Sequence, residues 1–376
     1  MAAPTLPKTH QALVQATYAS PFELQTVPTP EVRHGDAIIK IIVSGVVSYA
    51  KQVYDGTRKY PYPTPIVPGT SAIGRVAALG PDSTALSIGQ LVLVDGVIRS
   101  RDDPSDIFLH GLHEGGRPGS RKLIREVWRD GTWAEYCSVP LEAVFALNES
   151  RLISEMGYSM ADLATLARYV VPFGGLKDIN VSAGETVIVA PATGAFGGGA
   201  VQVAVAMGAR VIAMGRQESK LMDLKTHFGE KVEVVRITGD VDKDTEQLLK
   251  SSRSPIDAYF DVSPPEAIKS THIKSCIQAV RVKGMVALMG GLHADVPTPL
   301  GVIMRKNLTV KGAWMYEREH VIAFLKMLEA GNVRVGELGG LRKVGEFEFA
   351  EWNKALDLAS ERNEWNSFVV IRPSND

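Results

Sequence analysis

The stretch Glu185–Arg216, ETVIVAPATGAFGGGAVQVAVAMGARVIAMGR, constrains the fold more than any other part of the chain. Its apolar run Thr186–Ala190 is too compact for a helix and rich in β-branched residues, which reads as a buried parallel strand. A glycine-rich turn follows. Val201, Ala204, Val205 and Gly208 then recur at helical spacing, and Arg210–Met214 is a second buried strand, which completes a β-α-β unit. Gly194 and Gly197 stand three residues apart between strand and helix. There the missing side chains let the helix pack closely on the sheet and let the backbone approach an anion held by the helix N-terminus. Pro191 takes the place of the usual first glycine of such a turn. Because proline fixes φ and donates no hydrogen bond, the turn is expected to differ there, with the anion relying on N–H groups from Ala195 to Gly197.

Strand, turn, helix and strand in this order predict a site for the pyrophosphate of a dinucleotide. The expected contacts are Thr193, Gly194, Ala195, Phe196 and Gly197 in the turn, Gly215, Arg216 and Lys220 after the second strand, and Val262, Met289 and Gly290 at the ends of two later strands. A site for NAD usually places an acid about 20 residues past the turn to bind the ribose hydroxyls. Gly215 and Arg216 stand there instead, with Lys220 one helical turn on. A guanidinium suits a 2′-phosphate and no acid repels it, so NADPH/NADP is the expected coenzyme. The alternative is a solvated surface pair of Arg and Lys.

The chain has 376 residues, comfortable for two domains. Its formal net charge of −1 offers no broad footprint for nucleic acid or an acidic membrane, so small-molecule partners are expected. The opening residues MAAPTLPKTHQALVQ lack a basic segment followed by an apolar one, and no stretch is long and apolar enough to span a bilayer. Cys137 and Cys276 are too few for a disulfide framework or a cysteine-rich zinc site. A soluble, cytoplasmic protein is expected.

Gln11 to about Gly157 reads as strands at Ala37–Val43, Ile73–Leu79, Leu91–Val94 and Trp133–Val139 between Gly and Pro turns, which suggests a small barrel-like β domain. Tyr60–Gly69, YPYPTPIVPG, must be an ordered loop. Arg99–Asp130 is a polar insertion anchored by Ile107, Phe108, Leu109, Leu123, Ile124 and Trp128, of the kind often used as a lid or interface. From about Tyr158 strands alternate with helices: Val232–Val235, Ala258–Val262, Met285–Met289 and Leu308–Lys311, with helical segments Thr245–Ser251 and His272–Val280. That pattern is a doubly wound parallel sheet in an α/β fold. Glu319–Glu329, Val344–Phe349 and Phe368–Ile371 read as helix, strand and strand that return to complete the first domain.

With SGVVSYA (Ser44–Ala50), PIVPGTSAIGRV (Pro65–Val76), DGTWAEY (Asp130–Tyr136), the glycine-rich turn and NLTVKG (Asn307–Gly312), the chain resembles the medium-chain dehydrogenase/reductase superfamily. The group contains zinc alcohol dehydrogenases and zinc-free quinone and enoyl reductases. The resemblance implies a GroES-like catalytic domain, here residues 1–157 completed by 317–376, and a Rossmann domain, residues 158–316, with the coenzyme in the cleft between them. It also implies homodimers paired through the last Rossmann strand, Leu308–Lys311.

Val47 stands where zinc members carry their first cysteine, Thr70 and Ser71 where Gly-His-Glu would continue from Gly69, and Ala167 near the last ligand. Valine and alanine have no donor atoms, and neutral hydroxyls are poor ligands beside imidazole and thiolate, so a zinc-free member with no metal site is expected. His110, His113 and Glu114 form an H-x-x-H run, but in a Gly-rich loop rather than on a helix, and solvated or locally bonded histidines are the expectation.

Hydride chemistry without zinc needs a hydrogen-bond donor for developing charge and a proton source. Tyr49 is the first candidate, since by the resemblance it replaces the Ser or Thr close to the substrate oxygen, with Ser48 beside it to pass a proton. Tyr60 is the second: G-T-R-K-Y-P resembles the G-x-Y-P of mitochondrial-type enoyl reductases, whose tyrosine donates the proton, with two residues more. Lys51, Tyr54, Arg168 and Tyr169 are weaker candidates, and Trp314, Met315 and Tyr316 are pocket-lining or packing residues. A phenol can donate a proton without being charged at rest, and the alternative for each tyrosine is packing with its hydroxyl satisfied by backbone. The expected activity is NADPH-dependent, zinc-independent reduction of a C=C conjugated to a carbonyl, or of a related C=N. The alternatives are ketone or aldehyde reduction, and NADPH binding without turnover.

Overall fold

Period-2 alternation in the first part of the chain builds antiparallel strands. The computed structural model describes residues 6–373, so the expectation drawn from the opening residues falls in part, at Met1–Thr5, outside the described residues. Strands β1 (Thr9–Gln15) and β2 (Phe22–Pro28) form a hairpin, and the long β3 (Asp36–Val46) pairs with both β4 (Ala72–Leu79) and β8 (Tyr136–Pro140). Beyond β4 come β5 (Leu91–Val94) and β9 (Val144–Ala146). Ile39, Ile41, Val76, Val92, Val94, Cys137 and Val139 point to one side and form a buried core. Trp133 and Ala134, expected at the start of a strand, instead reach β1 through a bond from the Leu13 N–H to the Trp133 carbonyl (2.9 Å) and a single bridge, Ala12 to Ala134. Tyr60–Gly69 is the loop that its prolines demand.

The insertion Arg99–Asp130 is a packed lobe. A short hairpin, β6 (Val97–Arg99) with β7 (Ile107–Leu109), and the helix Pro118–Glu126 enclose a core of Ile98, Phe108, Ile124 and Trp128 with Ala143. Pro118 opens the helix, where its missing N–H costs nothing. The Trp128 indole N–H donates to Asp36 Oδ1 (3.0 Å), which ties the lobe to β3.

The middle of the chain forms a six-stranded parallel sheet: β10 (Thr186–Ala190), β11 (Arg210–Gly215), β12 (Val232–Arg236), β13 (Ala258–Asp261), β14 (Met285–Leu288) and β15 (Thr309–Gly312). Their order is β12-β11-β10-β13-β14-β15. The chain therefore leaves β10 towards one edge and resumes at β13 towards the other, and in such sheets ligands sit beyond the strand ends at this reversal. Every residue of β10 is buried, as its unbroken apolar run requires. The helix expected at Thr245–Ser251 begins four residues earlier, at Val241, because the Asp240 carboxylate caps it by accepting from the N–H groups of Asp242 and Lys243. β15 is the edge strand, and all its residues are exposed.

The last segments, β16 (Arg342–Glu348) and β17 (Ser367–Arg372), return to the first sheet, with β17 antiparallel to β3 and the order β16-β17-β3-β4-β5-β9. The compact units divide at Ala167/Arg168 and Arg334/Val335, and Glu364–Asn366 also belong to the second unit; the sequence pattern places the divisions at 157/158 and 316/317. The helix Arg318–Glu329 lies in the second unit because its buried face includes Phe324, whose ring stacks on Tyr169 (6.2 Å), while Tyr316 covers Gly174. The sheets and helices make an α/β fold of GroES-like and Rossmann parts. Both cysteines are free and buried. Among the described residues no helix is long and apolar enough to cross a membrane.

Candidate functional site

At the start of the helix Ala195–Ala206 that follows β10, Gly197, Gly198 and Gly199 each face a different neighbour. A Cβ on Gly197 would meet the Pro191 carbonyl oxygen at 2.1 Å, one on Gly198 would meet Trp365 Cβ at 2.3 Å, and one on Gly199 the Arg168 carbonyl oxygen at 2.8 Å. Gly194 differs: nothing lies within 4 Å of where its Cβ would be. It is the residue that caps the helix Ala195–Ala206, with extended backbone and no side chain to occupy the first N–H groups. Those first-turn N–H groups lie at the positive end of the helix dipole, which fits the pyrophosphate of a dinucleotide. The turn is braced from below. The Ala192 N–H donates to the Met214 carbonyl (2.8 Å) and the Trp365 N–H to the Thr193 carbonyl (3.0 Å), while Gly194 bridges Glu364. The Ala190–Pro191 bond is cis.

At the end of β11 a Cβ on Gly215 would press on Thr193 Cγ2 at 3.0 Å, so strand end and turn are in contact. Arg216 is exposed and Lys220 partly buried. Arg236, which the sequence pattern did not single out, is the register partner of Gly215 on β12 and is also exposed. Arg216 and Arg236 thus stand at the ends of the adjacent strands β11 and β12, and Lys220 lies in the first turn of the helix Glu218–Phe228 that follows β11. At β13 the Val262 N–H donates to the Ala190 carbonyl (3.2 Å), and at β14 the Met289 N–H donates to the Asp261 carbonyl (3.0 Å). A Cβ on Gly290 would meet Asp261 Oδ2 at 2.5 Å. Asp261 is buried and accepts from the Tyr259 hydroxyl (2.9 Å) and the Ser263 hydroxyl (2.6 Å), with His272 Nε2 2.9 Å from the Ser263 oxygen. This polar network ties the end of β13 to the start of the helix His272–Ala279. Periodicity could not find it, because its members pair across a loop, although the buried-strand run that ends in Asp261 was a visible irregularity.

The first unit brings the two candidate tyrosines together. Tyr49 follows β3 and opens the short helix Ala50–Tyr54, and its ring lies 6.2 Å from that of Tyr60. The Arg58 guanidinium stacks over Tyr49, its carbon 4.3 Å from the ring centroid. His113, from the insertion, meets Tyr60 edge-on at 4.9 Å. Burial, and then the neighbouring Tyr60, push the Tyr49 phenol well above its ordinary pKa, with Arg58 opposing, so Tyr49 remains a protonated donor. Ser48 is partly buried beside it. The weaker candidates have structural tasks. Tyr54 is buried, donating to the Gly111 carbonyl (2.8 Å) and accepting from the Gly69 N–H (3.3 Å). Lys51 pairs with Asp357, Arg168 donates to the Trp365 carbonyl (3.3 Å), and Tyr169 is buried beneath Phe324. Tyr316 is buried and Trp314 exposed.

The residues at the family's zinc positions do not fit that metal. Val47 supplies no donor, and Thr70 and Ser71 supply only neutral hydroxyls. Nor do the residues of the H-x-x-H run form a ligand set. His110 is fully buried with both ring nitrogens outside hydrogen-bonding geometry, and burial pushes its pKa down to about 4. His113 Nδ1 accepts from the Gly115 N–H (3.0 Å), and Glu114 is held by Arg125 (2.7 Å) and Arg121 (3.5 Å). Among the described residues no group of three or more His, Cys, Asp and Glu side chains could hold a metal ion.

Two family models match the chain: an alcohol dehydrogenase GroES-like domain over residues 33–149 and a zinc-binding dehydrogenase domain over residues 195–330. An L-threonine 3-dehydrogenase of Chromobacterium violaceum is 26% identical over 328 residues, covering 85% of this chain and 87% of its own. Alcohol dehydrogenase 1 of Caenorhabditis elegans is 24% identical over 343 residues, covering 88% and 90%. Among solved structures a crotonyl-CoA carboxylase/reductase superposes with a TM-score of 0.78 at 14% identity, over 98% of this chain and 89% of that one, which speaks to the fold alone.

Proposed function

The chain belongs to the medium-chain dehydrogenase/reductase superfamily, an oxidoreductase family that works with a nicotinamide coenzyme, and we propose that it is an NADPH-dependent, zinc-independent reductase of a carbon–carbon double bond conjugated to a carbonyl, or of the related C=N. The observation that carries this proposal is the pairing of Tyr49 with Tyr60 in a unit whose zinc positions hold Val47, Thr70 and Ser71.

The coenzyme, when bound, supplies the hydride. Gly194 and the first-turn N–H groups of Ala195–Gly197 would receive its pyrophosphate, Arg216, Arg236 and Lys220 its 2′-phosphate, and the ends of β13 and β14 at Val262, Met289 and Gly290 its nicotinamide end. As hydride reaches the β-carbon, the π electrons move to the carbonyl oxygen. Tyr49, at the position the resemblance assigns to the substrate oxygen, would donate a hydrogen bond there and then a proton, giving an enol that becomes the saturated carbonyl by gaining a proton at the α-carbon and losing the one on oxygen, with Ser48 or Tyr60 as the route that restores the Tyr49 proton. A desolvated phenol suits this task because it stays neutral at rest.

A second reading, ketone or aldehyde reduction with Tyr49 polarising the carbonyl, is favoured by the relatives named alcohol and threonine dehydrogenases. Deuteride from labelled NADPH separates the two: on the β-carbon of an enone it supports the first, on the carbonyl carbon the second. NADPH bound without oxidation across enones, quinones and aldehydes would refute both. Tyr49→Phe is expected to lower kcat by about 100-fold or more, as for loss of a general acid; full kcat in both Tyr49→Phe and Tyr60→Phe would remove the tyrosines from the mechanism. We further propose a homodimer joined along β15, because this exposed edge strand carries exposed Val310, exposed Trp314 follows it, and the helix that precedes it presents exposed Leu300 (71%) and Met304 (69%). Sedimentation as a monomer at micromolar concentration would count against it.

A further inference from the structure

Ser263 follows Val262, a residue assigned above to the nicotinamide end of the coenzyme, and is itself buried (1% exposed). Its N–H donates to Asp261 Oδ2 (3.3 Å), its hydroxyl donates to Asp261 Oδ1 (2.6 Å), and its carbonyl accepts from the Gly291 N–H (2.7 Å). The hydroxyl has one proton and the carboxylate takes it, so in the 2.9 Å contact with His272 Nε2 the imidazole is the donor. The other ring nitrogen, Nδ1, lies 2.6 Å from the Ser270 hydroxyl oxygen. Asp261, Ser263, His272 and Ser270 thus make one hydrogen-bonded chain from the end of β13 to the first turn of the helix His272–Ala279. Gly290 packs against it. A Cβ there would meet Asp261 Oδ2 at 2.5 Å and both the nitrogen and the carbonyl oxygen of Ser263 at 2.8 Å. A buried polar chain brings little net stability, since its groups give up water for the bonds they gain, and an apolar core would hold helix to sheet as well. What a fully bonded chain adds is a single geometry, because any displacement leaves a buried donor or acceptor unpaired.

We propose that Ser263 and His272 are positioning residues for the nicotinamide half of the coenzyme. This rests on the reading that the nicotinamide lies beyond the ends of β13 and β14. Both side chains are too deeply buried to touch the coenzyme (1% and 0% exposed), and they act through the backbone. With its side chain fixed to Asp261 and His272, Ser263 holds Val262 before it, Gly291 through the carbonyl bond, and Gly290 by contact. Hydride transfer makes use of such fixing, because a misplacement of about 1 Å costs on the order of 100-fold. The adenosine half lies elsewhere. Arg216 and Arg236 stand at the ends of β11 and β12, on the other side of β10 from β13 and β14. Loss of the chain should therefore be felt by one half of the coenzyme and not by the other.

Calorimetry of the full chain with NADPH and with adenosine 2′,5′-bisphosphate, which carries the adenosine half alone, separates this role from a general loosening of the fold. Ser263→Ala removes one oxygen and His272→Leu removes the imidazole. Each should weaken NADPH about tenfold or more, of the order of one buried bond lost, and leave the bisphosphate within about twofold of the wild type. His272→Gln, whose amide nitrogen can donate to Ser263 as Nε2 does, should recover most of the loss. Both ligands weakened in the same proportion, or NADPH affinity unchanged in both variants, overturns the proposal while the coenzyme reading stands, as does a His272→Gln no better than His272→Leu. Should His272→Leu not fold, Ser263→Ala decides alone. A wild type that binds the bisphosphate as tightly as NADPH removes the nicotinamide from the ends of β13 and β14, and one that binds neither removes the coenzyme; either result overturns the role of Ser263 and His272 as well.

Discussion

Substituting alanine at Gly197 and, separately, at Gly194 should split stability from coenzyme binding, because the same methyl group meets opposite surroundings three residues apart. At Gly197 the new Cβ would stand 2.1 Å from the Pro191 carbonyl oxygen and 2.9 Å from the Ala192 backbone carbon. An ordinary contact is about 3.5 Å, so helix and turn must separate by roughly 1.4 Å. Neither obstacle is a flexible side chain. Overpacking of this kind costs about 1–3 kcal/mol, and each kcal/mol lowers the melting temperature of a domain of this size by about 2–4 °C. The separated turn should also lose NADPH. At Gly194 the backbone has φ of −90° and ψ of 176°, which any residue adopts, and the Cβ meets nothing within 4 Å. The entropy gained by replacing glycine, about 0.4–1 kcal/mol, roughly offsets the poorer cap. Gly194→Ala should therefore melt like the wild type, while its methyl group enters the space assigned to the pyrophosphate and weakens NADPH binding about tenfold or more, of order one lost hydrogen bond. Differential scanning fluorimetry and quenching of protein fluorescence by NADPH measure the two effects. Wild-type affinity in Gly194→Ala would refute the placement of the pyrophosphate, and wild-type stability in Gly197→Ala would refute the tight packing.

Arg216→Ala and Arg236→Ala should each reduce the NADPH-over-NADH preference in kcat/KM by about 10-fold or more, as expected for one charge-assisted contact; an unchanged ratio in both would withdraw the 2′-phosphate assignment. His110 should make the fold acid-sensitive. Its pKa is pushed from 6.5 to about 4 by burial, so between those values the unfolded chain binds a proton that the folded chain refuses. Stability then falls as pH drops from 6.5 to 4, by about 3 kcal/mol at most, with no further loss from this group below 4. Urea unfolding across that window should show a shallower slope for His110→Gln, and identical slopes would refute the assignment. Asp261→Asn should weaken the network that ties β13 to the helix at His272 by about 1.5–3 kcal/mol, the value of hydrogen bonds to a charged group, visible as a lower urea midpoint; no change would mean that the carboxylate is not needed there.

Much of the parallel sheet was legible because its signals are local. A buried strand must be apolar throughout, and a turn that brings a helix within contact of a strand must be glycine, so Thr186–Ala190 and Gly197 announce themselves. Element ends were less legible. The Asp240 cap lengthened a helix beyond its periodic part, and β13 ended one residue before Val262 because Asp261 turns to side-chain partners. Of the run Gly197-Gly198-Gly199 the sequence pattern singled out Gly197 alone, yet each member answers a separate neighbour, two of them, Arg168 and Trp365, remote in the chain.

What the sequence by itself determined is the set of chemical possibilities: a coenzyme turn without an acid after the second strand, zinc positions without zinc donors, and several tyrosines near Tyr49. Tertiary structure decided which of these act together. It separated Tyr54, bonded to Gly69 and Gly111, from the pair Tyr49 and Tyr60. It added Arg236 to Arg216 through the register of parallel strands, and set Arg58 on the Tyr49 ring through a loop closed by its own hydrogen bonds. The reason is physical: periodicity and turn chemistry act over a few residues, whereas a site is made by side chains whose closeness depends on strand register and loop closure.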